Sequence, residues 1–247
     1  MTYPRVVSHE ILDELAPGDP RAQRSRRDLR RINRFMGTRA IMIRGMQTAM
    51  ARRADAPALR VLELGAGDGS LMLSIARKMS RSWPAVDVTF LDRQPLIDAA
   101  ACAAFARLRW SAYTLTVDVL DWARASATSD PSGRWDLIVT NLFLHHFDAL
   151  QLSGLLAAIA ARCDVFVACE PRRTLLPLLG SHLMGAIGAS RVTRHDAMLS
   201  VQAGFRDTEL SSAWSSDHGR WRLQEHGAGL ASHYFNATRC ADSAGAG

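Results

Sequence analysis

The sequence predicts a doubly wound α/β fold, on three observations. Between residues 59 and 170 short apolar runs alternate with segments of helical periodicity. The first run ends in a glycine-rich loop that opens a helix, Leu64-Gly65-Ala66-Gly67-Asp68-Gly69-Ser70. An acidic residue, Asp92, closes the second run. Alternation at this spacing implies parallel strands with helices on both faces of one sheet. Nearly continuous apolar strands suit burial on both sides.

Composition narrows the class. The 247 residues are 48% hydrophobic and 22% charged, which excludes a disordered, collagenous or membrane-embedded chain. No apolar run approaches the roughly 20 residues a bilayer requires, so no membrane span is expected. The N-terminal residues lack the apolar core of a signal peptide, and a cytoplasmic protein is expected. Cys102, Cys163, Cys169 and Cys240 form neither a C-x-x-C pair nor a zinc spacing. They read as free thiols, and no metal site is expected. The formal charge of +6 is uneven: residues 1–60 hold 13 Arg against six acids.

Three segments follow in order. Residues 1–57 read as a helical lid or cap, with Leu29, Ile32 and Met36 on one face and Ile43, Met46 and Met50 on another. Arg24, Arg27, Arg31 and Arg34 gather on an opposite face, and the break falls at Met36-Gly37-Thr38. Residues 58–240 form the main domain, a ligand-binding half at 58–170 and an acceptor-side half at 171–240. In the first half Leu59–Leu64, Val86–Leu91, Ala112–Val117, Asp136–Thr140 and Asp164–Cys169 read as strands. Helices are expected at Ser70–Met79, Leu96–Arg107 and Leu150–Ala161. In the second half Leu175–Ile187 and His195–Gln202 read as helices. An extended piece runs from Gly204-Phe205 toward Leu210, and Trp221–Glu225 and His233–Thr238 read as a hairpin around Gly227-Ala228-Gly229. Residues 241–247 are an Ala/Gly/Ser tail expected to fray.

The glycine loop carries the most chemistry. Its glycines permit a tight turn and let a ligand approach the backbone. Asp92, at the tip of strand two, suits a ribose diol. Dinucleotide sites share both features, but the spacing here is G-x-G-x-G rather than G-x-G-x-x-G. Glu63, two residues before the first glycine, can serve a cationic amino-acid portion. Asp118 follows strand three, where it can bond an adenine amine while Val119 packs on the ring.

Val61-Leu62-Glu63-Leu64-Gly65-Ala66-Gly67-Asp68-Gly69 resembles the first motif of class I S-adenosylmethionine-dependent methyltransferases. Thr89-Phe90-Leu91-Asp92 resembles their second, Val117-Asp118-Val119 their adenine-contact segment, and Trp135 through Phe147 their fourth motif and its loop. Gly204-Phe205 is similar to the family's entry to its sixth strand. The resemblance implies a Rossmann-like seven-stranded sheet of order 3-2-1-4-5-7-6, with strand seven antiparallel. It implies a donor, S-adenosylmethionine, whose amino-acid part lies on Gly65, Ala66 and Gly67 with Glu63 behind. Ribose would meet Asp92, adenine would lie beside Arg93, Asp118 and Val119, and the Asn141 carbonyl would face the ammonium. Asp68 reads as a helix cap.

Methyl transfer to a hydroxyl or amine also requires loss of a proton. His145 and His146 lie just past strand four, beside the expected methyl group, and titrate near neutrality. Glu170 ends strand five and can orient His145. These three are the catalytic candidates. Arg172 and Arg173 can grip an anionic acceptor, and His182, on the following insertion, is a third acceptor-side candidate. His195 and Asp196 rank below them. The apolar Leu175–Leu179 stretch and Met184 suggest a pocket wall. Asn141-Leu142-Phe143-Leu144 lacks the prolines of enzymes that methylate exocyclic base amines.

The expected function is methylation of a small-molecule metabolite, first an O-nucleophile on an aromatic or polyketide-like acceptor in secondary metabolism. The alternatives are N-methylation of a small heterocycle and an RNA-directed enzyme using the basic N-terminal segment. Nucleic acid is not the expected partner, because a charge run is most often a solvated helix face. A donor-binding protein without activity conflicts with the intact loop and acids. The sequence is compatible with a homodimer.

Overall fold

Extended runs at the expected places pair into one sheet in the computed structural model, which describes residues 4–50, 58–125, 134–174, 188–214 and 218–240. The strands are β1 (Ala58–Leu64), β2 (Ala85–Asp92), β3 (Trp110–Thr116), β4 (Trp135–Asn141), β5 (Cys163–Pro171), β6 (Trp221–Ala228) and β7 (Ser232–Arg239). Their order is β3-β2-β1-β4-β5-β7-β6, as expected. The first five are parallel, and β7 runs antiparallel to β5 and β6. Winding reverses between β1 and β4, which leaves a crevice at their C-terminal tips, where ligands of open α/β sheets bind.

Alternation along the strands divides the core. Val61, Val88, Val139 and Val167 face one side, with α4 (Ser70–Met79) and α5 (Ala99–Ala106). Leu62, Leu64, Ile138 and Phe166 face the other, with α6 (Val119–Arg124) and α7 (Ala149–Arg162). Both layers are built of buried apolar side chains, and the polar residues of β4 and β5 gather at their ends, Asp136 and Asp164 at the start and Thr140, Asn141 and Glu170 at the tips.

The N-terminal segment forms α1 (Ile11–Glu14), α2 (Pro20–Phe35) and α3 (Thr38–Met50). The break between α2 and α3 falls at Gly37, which takes φ +69. Helix α3 packs into the first core layer through Ile41, Met42 and Met46. The chain before Gly37 lies over the strand tips, with Arg30 on Asp68 and Glu10 on His145. Helix α2 buries a small and polar stripe, Ala22, Ser25 and Asp28, rather than an apolar one. Asp28 accepts from Ser190 N (2.9 Å) and Thr193 Oγ1 (3.0 Å), which ties α2 to α8 (Arg191–Ala203). Arg24, Arg27, Arg31 and Arg34 are exposed, a solvated face.

Two local expectations change. The piece after Gly204 is not a strand: Phe205 makes a single bridge to Arg172, and α9 (Glu209–Ala213) follows. The Glu225 carboxylate accepts from Leu210 N (2.9 Å) and Ser211 N (2.7 Å), so the first amides of that helix are satisfied by β6. The hairpin also extends further than expected. Gly227 and Ala228 belong to β6, and the turn centres on Gly229, at φ +61. The expected helix at 175–187, with Met184 and His182, and the tail at 241–247 lie outside the described residues. All four cysteines are free. No helix among the described residues is long and apolar enough to cross a membrane.

Candidate active site

Strand β1 delivers the chain into the glycine loop, and Asp92 at the tip of β2 holds that loop in shape. One Asp92 oxygen accepts from Gly67 N (2.9 Å), the other from Gln94 N (3.0 Å). Gly67 has φ +55 and open space where a side chain would project. Beside it lies a shallow cleft lined by Gly67, Phe90, Asp92, Leu96, Ile97 and Leu115. Asp68 accepts from Ser70 N (3.1 Å), the capping role expected of it.

Two buried oxygens at the crevice have no partner among the described residues, Glu63 Oε2 and Asn141 Oδ1. Burial, with the charges of Asp68 and Asp92 adding, pushes the Glu63 carboxyl up to about 8. An unpaired buried carboxyl is costly, and a ligand ammonium would relieve the cost. The loop, the open face of Gly67 and these acceptors therefore fit S-adenosylmethionine. Val119 is buried, and Asp118 caps α6 through Leu120 N (2.7 Å). Arg93 is turned the other way, 4.0 Å from Asp13 of α1. Phe143 lies over Gly65, 2.2 Å from where a Cβ would stand.

The second group of residues sits where β4 and β5 end. Leu142 takes φ +52, a strained value for a non-glycine residue. The turn aims the following amides at Glu170, which is fully buried. Glu170 accepts from Phe143 N (3.1 Å), Leu144 N (3.0 Å) and His145 Nδ1 (2.9 Å). The expected His145–Glu170 pair is therefore present.

What the sequence did not reveal is a second carboxylate. Glu10, just before α1, places Oε1 3.3 Å from His145 Nε2 and also accepts from Ser200. Asp13 Oδ2 lies 3.3 Å from His146 Nδ1, and the two imidazoles are 4.2 Å apart. Burial alone would lower the His145 pKa, but its bonds to Glu10 and Glu170 outweigh that and hold it up at about 9. Burial and the adjacent charge of His145 push His146 down. Both His145 nitrogens are engaged, so a free imidazole base at His145 is not what this arrangement offers.

Arg5 fixes the N-terminal segment in place. It donates to the carbonyls of Ala203 (2.7 Å), His145 (3.1 Å) and Phe147 (2.9 Å) and lies over the Phe205 ring. Asp196 accepts from Ile11 N and Leu12 N, both at 3.0 Å, and so caps α1. Glu10, Asp13 and Arg5 escaped sequence reasoning because no motif surrounds them and their partners in the loop after β4 lie more than 130 residues away in the chain. Of the acceptor-side candidates, Arg173 is buried against Glu209, and the Arg172 guanidinium packs over Gly227. Both side chains are thus taken up by contacts of the fold. His182 lies outside the described residues.

A model of the methyltransferase-domain family matches residues 22–233. The chain belongs to that family and is a class I S-adenosylmethionine-dependent methyltransferase. Its fold is similar to that of the plantazolicin methyltransferase BpumL in complex with SAH, at 12% identity and TM-score 0.60, covering 90% of this chain and 92% of that one. Magnesium protoporphyrin IX methyltransferase (ChlM) from Synechocystis PCC 6803 is similar at 15% identity and TM-score 0.51, covering 85% and 87%. The mitomycin 7-O-methyltransferase MmcR is similar at 20% identity and TM-score 0.53, covering 93% of this chain and 60% of that one. No curated protein matches the chain in sequence.

Proposed function

We propose that the protein O-methylates a small aromatic or polyketide-like metabolite of secondary metabolism. The observation that supports this reading is the group formed by buried Glu10, His145 and Glu170 and half-buried His146 at the tips of β4 and β5, next to the donor crevice. A hydroxyl acceptor must lose a proton as it attacks, and this group is where the chain gathers groups able to manage one. MmcR, similar in fold, is by name an O-methyltransferase, which agrees with the reading.

On the donor side Gly65, Ala66 and Gly67 receive the amino-acid part, with Glu63 and Asn141 toward its ammonium. Asp92 takes the ribose, and Asp118 and Val119 take the adenine. Arg93, expected beside the adenine, is assigned instead to holding the N-terminal segment through Asp13. When bound, S-adenosylmethionine supplies an activated methyl group, so the protein's share is alignment and proton removal. Glu170 is a positioning residue: it shapes the loop after β4 and fixes His145. His146, the more exposed of the two imidazoles, faces the acceptor oxygen, and His145 stands behind it between Glu10 and Glu170. Arg172 and Arg173 are assigned to the fold, and His182 remains an acceptor-side candidate.

The test is transfer of a labelled methyl group to a panel of phenols, small heterocyclic amines and RNA. Label on phenolic oxygen is the expected result. Label confined to amines or to RNA would replace this reading with one of those.

A further inference from the structure

We propose that Glu10, His145 and His146 form a binding site for one divalent transition-metal ion, held between the N-terminal segment and the loop after β4. One ligand atom from each of the three lies within 4.8 Å of the others. His145 Nε2 and Glu10 Oε1 are 3.3 Å apart, close to the separation of neighbouring ligands on an ion with bonds of about 2.0–2.2 Å. Glu10 and His145 are 8% and 2% exposed and the His146 side chain 20%, so two of the ligands are buried and the third leaves a side open to an acceptor.

The surrounding carboxylates strengthen the case. Metal-bound imidazoles regularly give their other ring N–H to a carboxylate, which fixes the tautomer and the ring plane. Here Nδ1 of His145 is held by Glu170 at 2.9 Å, and Nδ1 of His146 faces Asp13 at 3.3 Å. Each imidazole thus has one nitrogen committed to an orienting carboxylate, which leaves Nε2 for an ion. Two imidazoles and one carboxylate suit zinc, cobalt, nickel or iron better than magnesium or calcium. Binding displaces the His145 Nε2 proton to solvent.

The consequence rests on the O-methylation reading. Three protein ligands leave a coordination position open. An acceptor hydroxyl bound there would ionise more readily, because a metal ion lowers the pKa of an oxygen it holds. Chemistry that a free imidazole at His145 does not offer would then be supplied by the ion. Glu10 comes from the N-terminal segment and the histidines from the main domain, so the site is complete only with that segment seated. Sequence spacing gives no sign of it, since Glu10 lies 135 positions before His145.

The experiment is a cobalt titration of the full chain after dialysis against chelator, read by visible absorption. One equivalent of Co²⁺ is expected to give a protein-bound band that Zn²⁺ abolishes by competition. Glu10→Gln and His146→Gln are each expected to weaken cobalt binding by at least about 100-fold, and Asp13→Asn by about 10-fold. S-adenosylhomocysteine binding, measured by calorimetry on the same samples, should hold within a few-fold and so report intact folding. Should a variant lose that binding, X-ray absorption of the cobalt-loaded wild type reads imidazole ligation directly. No band at millimolar Co²⁺, a band that survives both variants, or absorption without imidazole scattering would overturn the site. Phenol methylation without a bound ion would sink the site and leave the O-methylation reading standing. A bound ion with no phenol methylation would do the reverse.

Discussion

Arg30 of α2 forms an ion pair with Asp68, so a side chain from the N-terminal segment lies directly on the glycine loop. Asp13 touches Arg93 and His146, and Arg26 donates to Gln94 (3.0 Å). The segment therefore spans the tips of β1, β2 and β4 at once. A cover of this kind excludes water and completes a site on closure.

Removing residues 1–36 keeps α3 and both core layers. The truncated protein is expected to stay folded by circular dichroism and to bind S-adenosylhomocysteine, while turnover falls by roughly 100-fold, as loss of proton management and alignment would require. Full turnover would show the segment dispensable. By contrast Arg30→Ala removes one exposed pair, worth about 0–1 kcal/mol. Its effect on donor affinity should stay below about fivefold.

Glu63 ties donor binding to pH. Its carboxyl, raised to about 8 in the free protein, is protonated at neutrality. A bound ammonium favours the ionised form and pulls that value down. Donor binding should therefore release a proton below pH 8 and tighten as pH rises toward 8. Calorimetry in buffers of differing ionisation enthalpy reads the proton directly. Glu63→Gln should abolish the release, and release unchanged in that variant would place its source elsewhere.

Gly67 separates strain from occlusion. A side chain there meets open space but must hold φ +55. Gly67→Ala should cost about 1–2 kcal/mol of stability from the left-handed backbone and leave the donor bound. Gly67→Leu carries the same strain and also fills the cleft, and calorimetry should find no donor binding. Equal binding by both variants would place the donor away from this loop.

The Glu225–His233 pair holds the far edge of the sheet together, at 2.7 Å with both side chains about 1% exposed. His233 and the amides of Ser211 and Leu210 hold the Glu225 carboxyl below its usual range despite burial. A lowered carboxylate pKa contributes stability above its unfolded value and loses it as pH falls through the folded one. Glu225→Gln should cost about 1–3 kcal/mol at pH 7, and the gap to wild type should narrow in acid. Urea midpoints at pH 7 and pH 3.5 check this. A gap of equal size at both would mean the pair contributes packing alone.

Much of the geometry of the candidate donor site was legible because its determinants are local. A strand, a glycine turn and an acid at the next strand tip are each set by a few consecutive residues. Asp92 and Gly67 meet because parallel pairing of β1 and β2 leaves their tips side by side. His145 and Glu170 were legible for the same reason, through the pairing of β4 with β5.

The sequence by itself determined the class of fold, the donor and the His145–Glu170 pair. Alternating periodicity, glycine placement and strand adjacency are short-range properties, and hydrophobic burial leaves few ways to satisfy them. Only the tertiary structure decided what surrounds His145. Glu10 and Asp13 reach the histidines because Asp196, Arg5 and Asp28 bond the N-terminal segment to the loop after β4 and to the N-terminus and body of α8. Those bonds join residues more than 130 positions apart, and no periodicity or motif encodes a pairing of polar groups across that distance. A separate contact across 36 positions turns Arg173 inward to Glu209. A charge beside a strand end does not reveal which of its neighbours in space will take it.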